Sequence, residues 1–210
     1  MSDTPHRPRL VVGVTGASGA LYAWRVVHGM IEAGARVELV VSPPGLRLLR
    51  DELDWPDADP RRFHPDGTQQ ITTHPYRDIG ATLASGSFCH DGMVVVPCSS
   101  NTLGALAHGT AQHLIHRAAY VTLKERRPLI LCHRETPLTR IDLTNLLALH
   151  DAGAVLLPCN PGFYHRPATL VELADAWATR VLDHLGLTAV DAQRFRWAGR
   201  VRPATTDGEP

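Results

Sequence analysis

Residues 10–41 read LVVGVTGASGALYAWRVVHGMIEAGARVELVV, and this stretch decides the fold. Leu10-Val11-Val12-Gly13-Val14-Thr15 is an unbroken apolar strand, the kind buried on both faces of a parallel sheet. Gly16-Ala17-Ser18-Gly19-Ala20 follows, then an amphipathic helix from about Leu21 to Ala33, stopped by Gly34, and a second strand over Arg36–Val41. A β–glycine loop–α–β unit places backbone N–H groups at a helix start, where a phosphate binds readily. Gly13, Gly16 and Gly19 (GxxGxxG) do not by themselves single out a ligand, because many Rossmann-like domains carry a similar pattern. A dinucleotide site usually has an Asp or Glu at the end of the second strand for the ribose hydroxyls. Ser42 holds that place here, followed by Pro43-Pro44. Ser18 and Ser42 can both bond phosphate oxygens, so a mononucleotide such as FMN fits better than NAD.

The same alternation continues outward. Pro44–Leu53 reads as a short helix, and Met93–Val96, Leu129–Cys132 and Ala154–Leu157 as buried strands. Helices are expected over Leu114–Arg127, Leu138–Ala152 and Thr169–Leu185, with another entered from the 97–103 segment. Residues 54–80, rich in Pro and Asp and without periodicity, read as a long excursion with little regular structure before Ile79. The pattern predicts a three-layer α/β domain, flavodoxin/Rossmann-like, with a mainly parallel sheet and helices on both faces. Residues 1–8 read as a disordered lead, 9–187 as one domain, and 188–210 as a partly disordered extension.

The chain has 210 residues, with 21 basic and 21 acidic side chains in balance, so no global field recruits nucleic acid or an anionic membrane. No apolar run has transmembrane length, and MSDTPHRPR lacks the apolar core of a signal peptide; a cytoplasmic protein is expected. Cys89, Cys98, Cys132 and Cys159 form no CxxC pair, so neither a zinc site nor a disulfide framework is indicated. Cys98 and Cys159, at strand ends, read as small buried hydrophobes or as pocket lining. The twelve histidines show no HxxxH or HExxH pattern, and no metal is expected.

Polar residues gather where strands end. In Arg117–Pro137, RAAYVTLKERRPLILCHRETP, the strand stops at His133-Arg134-Glu135-Thr136. Ligands of open parallel sheets bind just outside the carboxyl ends of strands. Arg134 there, with Lys124 nearby in sequence, suits an anion such as a phosphate; a helix end plus a salt-bridged loop is the plainer alternative. Pro97-Cys98-Ser99-Ser100-Asn101-Thr102-Leu103 offers more hydroxyl and amide groups than an N-cap requires, enough for the polar rim of a flavin or its phosphate. The 158–167 loop holds three prolines and so can fix Tyr164 in place, and Ala84-Ser85-Gly86-Ser87-Phe88 can approach a ligand through its backbone.

In order and spacing, GVTGASGA, ASGSF, PCSSNTL, LKERRPLIL, RETPL, GAVLLP and GFYHRP resemble the UbiX-type flavin prenyltransferases over nearly all of Leu10–Leu187. The resemblance implies a homo-oligomer, a dodecamer in the family, that binds reduced FMN and dimethylallyl phosphate at subunit interfaces. It implies metal-independent transfer of the prenyl group to flavin N5 and C6, with release of phosphate. The prenylated FMN produced would serve a UbiD-type decarboxylase. By motif, Gly16, Ala17 and Ser18 match the first FMN loop, Ser42 an FMN-binding serine, and Ser99, Ser100, Asn101 and Thr102 the second FMN loop. Arg134 matches an arginine between flavin and substrate phosphate. Lys124, Tyr164 and Arg180 match the prenyl-phosphate site with Ser85 close by, and Glu52 matches a glutamate assigned to proton transfer. Ser18, Glu52, Lys124, Arg134 and Tyr164 are thus the expected catalytic set. Arg117 and Trp197 correspond to a pair that closes over the site. Asn101 departs from the Lys or Thr common in the family.

The chemistry is consistent with these residue types. Charge builds on a departing phosphate, and Lys124, Arg134 and Arg180 would stabilise it while Tyr164 donates a hydrogen bond. No DDxxD pattern calls for magnesium. Loss of a ring proton needs a base, either Glu52 or the released phosphate; without the family, Glu52 reads as a helix-surface carboxylate. Two alternatives share the fold class or the ligand. Flavin-dependent cysteine decarboxylases have a segment like Ser100-Asn101-Thr102-Leu103 but carry PxMN where this chain has Pro158-Cys159-Asn160-Pro161. A non-catalytic FMN carrier would not need a second anion site.

Overall fold

Period-two alternation sorts the strand side chains into two apolar layers, one on each face of a single sheet. The computed structural model describes residues 6–188 and Phe195. The first five residues and, apart from Phe195, the extension from 189 onward lie outside the described residues, Trp197 among them. The strands are β1 (Arg9–Val14), β2 (Arg36–Val41), β3 (Ile71–His74), β4 (Gly92–Cys98), β5 (Leu129–His133) and β6 (Val155–Leu156). They pair in the order β3-β2-β1-β4-β5-β6, and every pairing is parallel. The helices are α1 (Ala20–Glu32), α2 (Pro43–Leu53), α3 (Pro60–Phe63), α4 (Gly67–Gln70), α5 (Ser100–Ala107), α6 (Leu114–Lys124), α7 (Arg140–Asp151) and α8 (Leu170–His184).

Leu10, Val12 and Val14 of β1, Val94 and Val96 of β4, and Ile130 and Cys132 of β5 face a core shared with α1, α2 and α8. Val11, Met93, Val95, Leu129 and Leu131 face the other core, with α5 and α6. Burial on both faces is what continuous Val/Ile/Leu runs predict, and Cys98, Cys132 and Cys159 are buried within these layers. No helix among the described residues is long and apolar enough to cross a membrane.

The expectation for residues 54–80 needs correction. Ile71–His74 pairs in parallel with Val37–Val40 as an edge strand, and two short helices precede it. Only Ile71 of that strand is buried, so its sequence has no alternation to read. Phe63 is fully buried, edge-on to Trp55, which in turn meets Trp24 of α1. The excursion therefore closes one end of the core. Without β3 the strand order is that of a flavodoxin; with it, the order becomes that of a Rossmann sheet.

Other differences are at element ends. Helix α6 stops at Lys124 rather than Arg127, because Arg126 enters the left-handed region (φ 56°) and Arg127 N–H donates back to the Thr122 carbonyl. Helix α7 starts at Arg140, where Thr139 and Asp142 form a capping box.

His113 and His116, at the start of α6, stack with ring centroids 3.5 Å apart. His116 is fully buried, and its ring nitrogens have no partner among the described residues. Burial pushes both imidazoles from 6.5 down to about 4.

Phe63→Ala should cost about 3–5 kcal/mol in a denaturant titration, and Ile79→Ala, at an exposed site, under about 0.5 kcal/mol. Equal effects would contradict the packing of the excursion. Both histidines fold neutral, whereas the unfolded chain takes up their protons below about 6.5. Stability is therefore present above pH 6.5 and lost as pH falls toward 4. His116→Leu should flatten the stability–pH curve across that window.

Candidate functional site

Ligand chemistry in a parallel sheet is expected where the strand order reverses, here between β1 and β4 at the carboxyl edge. The Thr15 hydroxyl donates to the Pro97 carbonyl (2.7 Å) and accepts from Ser99 N–H (2.9 Å), so the loops after β1 and β4 are tied together. Gly16 closes this edge against α2: a Cβ there would lie 2.4 Å from Pro44 Cβ. Ser42 is buried, and its hydroxyl accepts from Gly45 N–H (3.0 Å) as the N-cap of α2. Ser99 caps α5 in the same way, through Thr102 N–H (3.3 Å). Gly16, Ser18 and Asn101 are exposed along this crevice, and Ala17 and Thr102 are buried beneath it.

Glu52 is not a free surface carboxylate. It accepts from Gly19 N–H (3.0 Å) and Ala20 N–H (2.8 Å), so a side chain from α2 takes the amides at the start of α1. Gly19 permits this with a positive φ of 132°. Those two amides, read from sequence as phosphate donors, are engaged by the protein itself.

Arg134 leaves the end of β5, its N–H donating to the Cys98 carbonyl (3.1 Å). Its buried Nε has no partner among the described residues. A buried guanidinium nitrogen without an acceptor is costly, and an incoming anion or carbonyl would satisfy it. The Cys159 thiol, beside Arg134, is pushed up to about 12 by burial and stays protonated. Next to Arg134, His133 Nε2 lies 3.0 Å from the Ser100 hydroxyl, a contact with no signal in the sequence.

The remaining expected residues fall into two other places. Tyr164 and Arg180 line one cleft of about 420 Å³ beside the edge strand β6, with Asn160, His165 and Trp177. Lys124 ends α6, at the amino edge of the sheet, where it pairs with Glu125. Gly86 packs against that pair, and the 84–88 loop is held from α6 and its end: Arg117 donates to the Ala84 carbonyl, Arg127 to those of Gly86 and Phe88. Ser85, bonded to Ser87, belongs to this second group. One protomer therefore groups Ser85 with Lys124 and Tyr164 with Arg180, but does not bring Lys124 to Arg134.

One histidine cluster escaped the sequence reading because it joins α1 to the excursion. His28, Glu32 and His64 lie together. His64 Nδ1 accepts from Asp66 N–H (3.1 Å), which leaves Nε2 to donate to Glu32 (2.6 Å), while the His28 ring lies edge-on to that of His64.

Comparison with known proteins finds relatives that match over most of the chain. A family model described as Flavoprotein matches residues 2–179. The chain is 46% identical over 197 residues to the flavin prenyltransferase UbiX of Deinococcus radiodurans, covering 93% of this chain and 98% of the relative. Its structure is similar to that of AnUbiX (PadA1) in complex with FMN and dimethylallyl pyrophosphate. The TM-score there is 0.85 at 38% identity, over 93% of this chain and 100% of the other. A dodecameric FMN-dependent UbiX-like decarboxylase from Escherichia coli O157:H7 gives 0.80 at 37% identity, over 91% and 100%.

Proposed function

This chain belongs to the flavoprotein family and, within it, to the flavin prenyltransferases, and from that premise we propose how its own residues carry out prenyl transfer to FMN. The observation that carries the assignment is the buried Nε of Arg134, which has no partner among the described residues, in a residue whose backbone is tied to Cys98 at the end of β4, beside the switch point of the sheet. That donor set fits FMN: Gly16–Ser18 and the 99–102 loop offer amides and hydroxyls to its phosphate and polar rim, and Arg134 offers a cation between flavin and prenyl phosphate. When bound, the reduced flavin supplies the nucleophilic N5 and C6 positions.

The protein's part is electrostatic. Lys124, Arg134 and Arg180 neutralise charge growing on the departing phosphate, and Tyr164 can donate a hydrogen bond to it. A monophosphate suits these cations, with dimethylallyl phosphate as the donor. Glu52, held at Gly19 and Ala20, is placed beside the first FMN loop, where a carboxylate can receive the proton lost when the second bond forms.

Because Lys124 and Ser85 are at the opposite edge of the sheet from Arg134, the site is completed between copies of the chain. Helix α7 supports assembly: Asp142 and Asn145 point inward, while Ile141 (71% exposed), Leu147 (61%) and Leu143 (54%) point outward. An apolar row of that kind marks an interface, and a dodecamer is the proposed assembly. A cytoplasmic location and delivery of the product to a UbiD-type decarboxylase complete the reading.

Anaerobic incubation with reduced FMN and dimethylallyl phosphate should yield a flavin heavier by one prenyl unit in mass spectrometry. An unchanged mass would leave only a carrier. Arg180→Ala should raise KM for the prenyl phosphate about tenfold or more while FMN Kd stays within about twofold. Ser18→Ala should weaken FMN instead, or both. Full turnover in Arg180→Ala would remove α8 from the site.

A further inference from the structure

Tyr164 stands on an exposed loop, and at 53% exposure burial does not fix the direction of its ring. A hydrogen bond to a phosphate oxygen depends on both distance and angle, so the ring has to be held some other way. The loop leaves from fixed points. The Pro158 carbonyl accepts from Trp177 Nε1–H of α8 (3.0 Å), and Cys159 N–H donates to the His133 carbonyl (3.2 Å). Past Tyr164 the chain closes in a turn, where Arg166 N–H donates to the Phe163 carbonyl (3.0 Å) with Arg166 left-handed at φ 53°. A non-glycine residue persists in that conformation only where its surroundings impose it, and such residues gather at functional sites.

Two residues of the loop touch the Tyr164 ring. A Cβ on Gly162 would lie 2.7 Å from Tyr164 Cε1 and 3.0 Å from Cδ1, so the ring fills the space that a side chain at 162 would need. The His165 ring stands edge-on to Tyr164, with centroids 5.3 Å apart and planes at 86°, an arrangement that ring quadrupoles favour. His165 meets Phe195 in a similar way, at 5.8 Å and 77°. Both of its ring nitrogens are buried without a partner among the described residues. Hydrogen bonding therefore does not account for its place; ring packing does. Gly162, Tyr164 and His165 all line the cleft that contains Arg180.

We propose that Gly162 and His165 are positioning residues for prenyl transfer, holding the Tyr164 ring at the cleft beside Arg180, one by leaving room for it and the other by packing against it. The inference rests on the assignment of Tyr164 and Arg180 to the prenyl phosphate.

Anaerobic kinetics with reduced FMN and dimethylallyl phosphate, run in two backgrounds, tests it. In the wild-type background, Gly162→Ala and His165→Ala should each lower kcat/KM for dimethylallyl phosphate about fivefold to tenfold, with FMN Kd within about twofold. His165→Phe keeps a ring at that place and drops the nitrogens, so it should stay within about twofold of wild type. In a Tyr164→Ala background neither Gly162→Ala nor His165→Ala should add a further loss, because the ring they hold is gone. Losses that multiply in that background would overturn the proposal, since the two residues would then act independently of Tyr164. Wild-type kcat/KM in Gly162→Ala and His165→Ala would overturn it too, as would a loss in His165→Phe equal to that in His165→Ala. If His165→Ala does not fold, Gly162→Ala, at an exposed position, carries the same cycle with Tyr164→Ala. Full turnover in Tyr164→Ala alone would instead remove Tyr164 from the prenyl-phosphate site, a failure of the underlying assignment and distinct from the others.

Discussion

One buried hydroxyl sets the geometry on which the site depends. Thr15, 2% exposed, stands at the end of β1 where the strand order reverses, and it bonds to both the Pro97 carbonyl and the Ser99 amide. A hydrogen bond of this kind contributes only about 1 kcal/mol net, but leaving its buried partners unmade costs about 1–3 kcal/mol. The spacing between the loops after β1 and β4 is therefore not free to drift. Close packing fixes the third wall of the crevice: Gly16 lies against Pro44, and a Cβ on Gly45 would come within 2.6 Å of the Val14 carbonyl. Two small residues allow α2 to approach the strand end, which is what brings Glu52 to the start of α1.

The strand ladder was legible because a parallel sheet buries both faces, and that double burial selects continuous apolar runs such as Val11-Val12 and Leu129-Ile130-Leu131. The loops at the carboxyl edge were legible for a topological reason, since every parallel strand ends at that edge and the polar residues begin where the strands stop. Strand β3 was hidden because a four-residue edge strand with two exposed threonines has no pattern to display. The bonds from Glu52 to Gly19 and from Ser100 to His133 span more than thirty residues each, and periodicity carries no information at that separation.

The cationic stretch from Lys124 to Arg134 shows the limit of reading proximity from sequence. The two residues look like neighbours, but the five-residue strand β5 lies between them. At about 3.3 Å per residue it carries the chain roughly 17 Å, from the amino edge to the carboxyl edge. Sequence proximity across a buried strand means opposite ends of the domain.

That separation has an electrostatic logic. Cations gathered around one phosphate pocket repel one another until an anion arrives, and the repulsion is strong where water is excluded. Within one protomer, Lys124 is partnered by Glu125 and packs by the 84–88 loop, while Arg134 sits apart, its Nε without a partner among the described residues. In the proposed assembly the cations meet only when subunits join, and burial of the Ile141, Leu143 and Leu147 row at about 25 cal/mol per Å² opposes their repulsion. Lys124 must then exchange a carboxylate partner for a phosphate, which keeps its own charge balanced both before and after the anion binds.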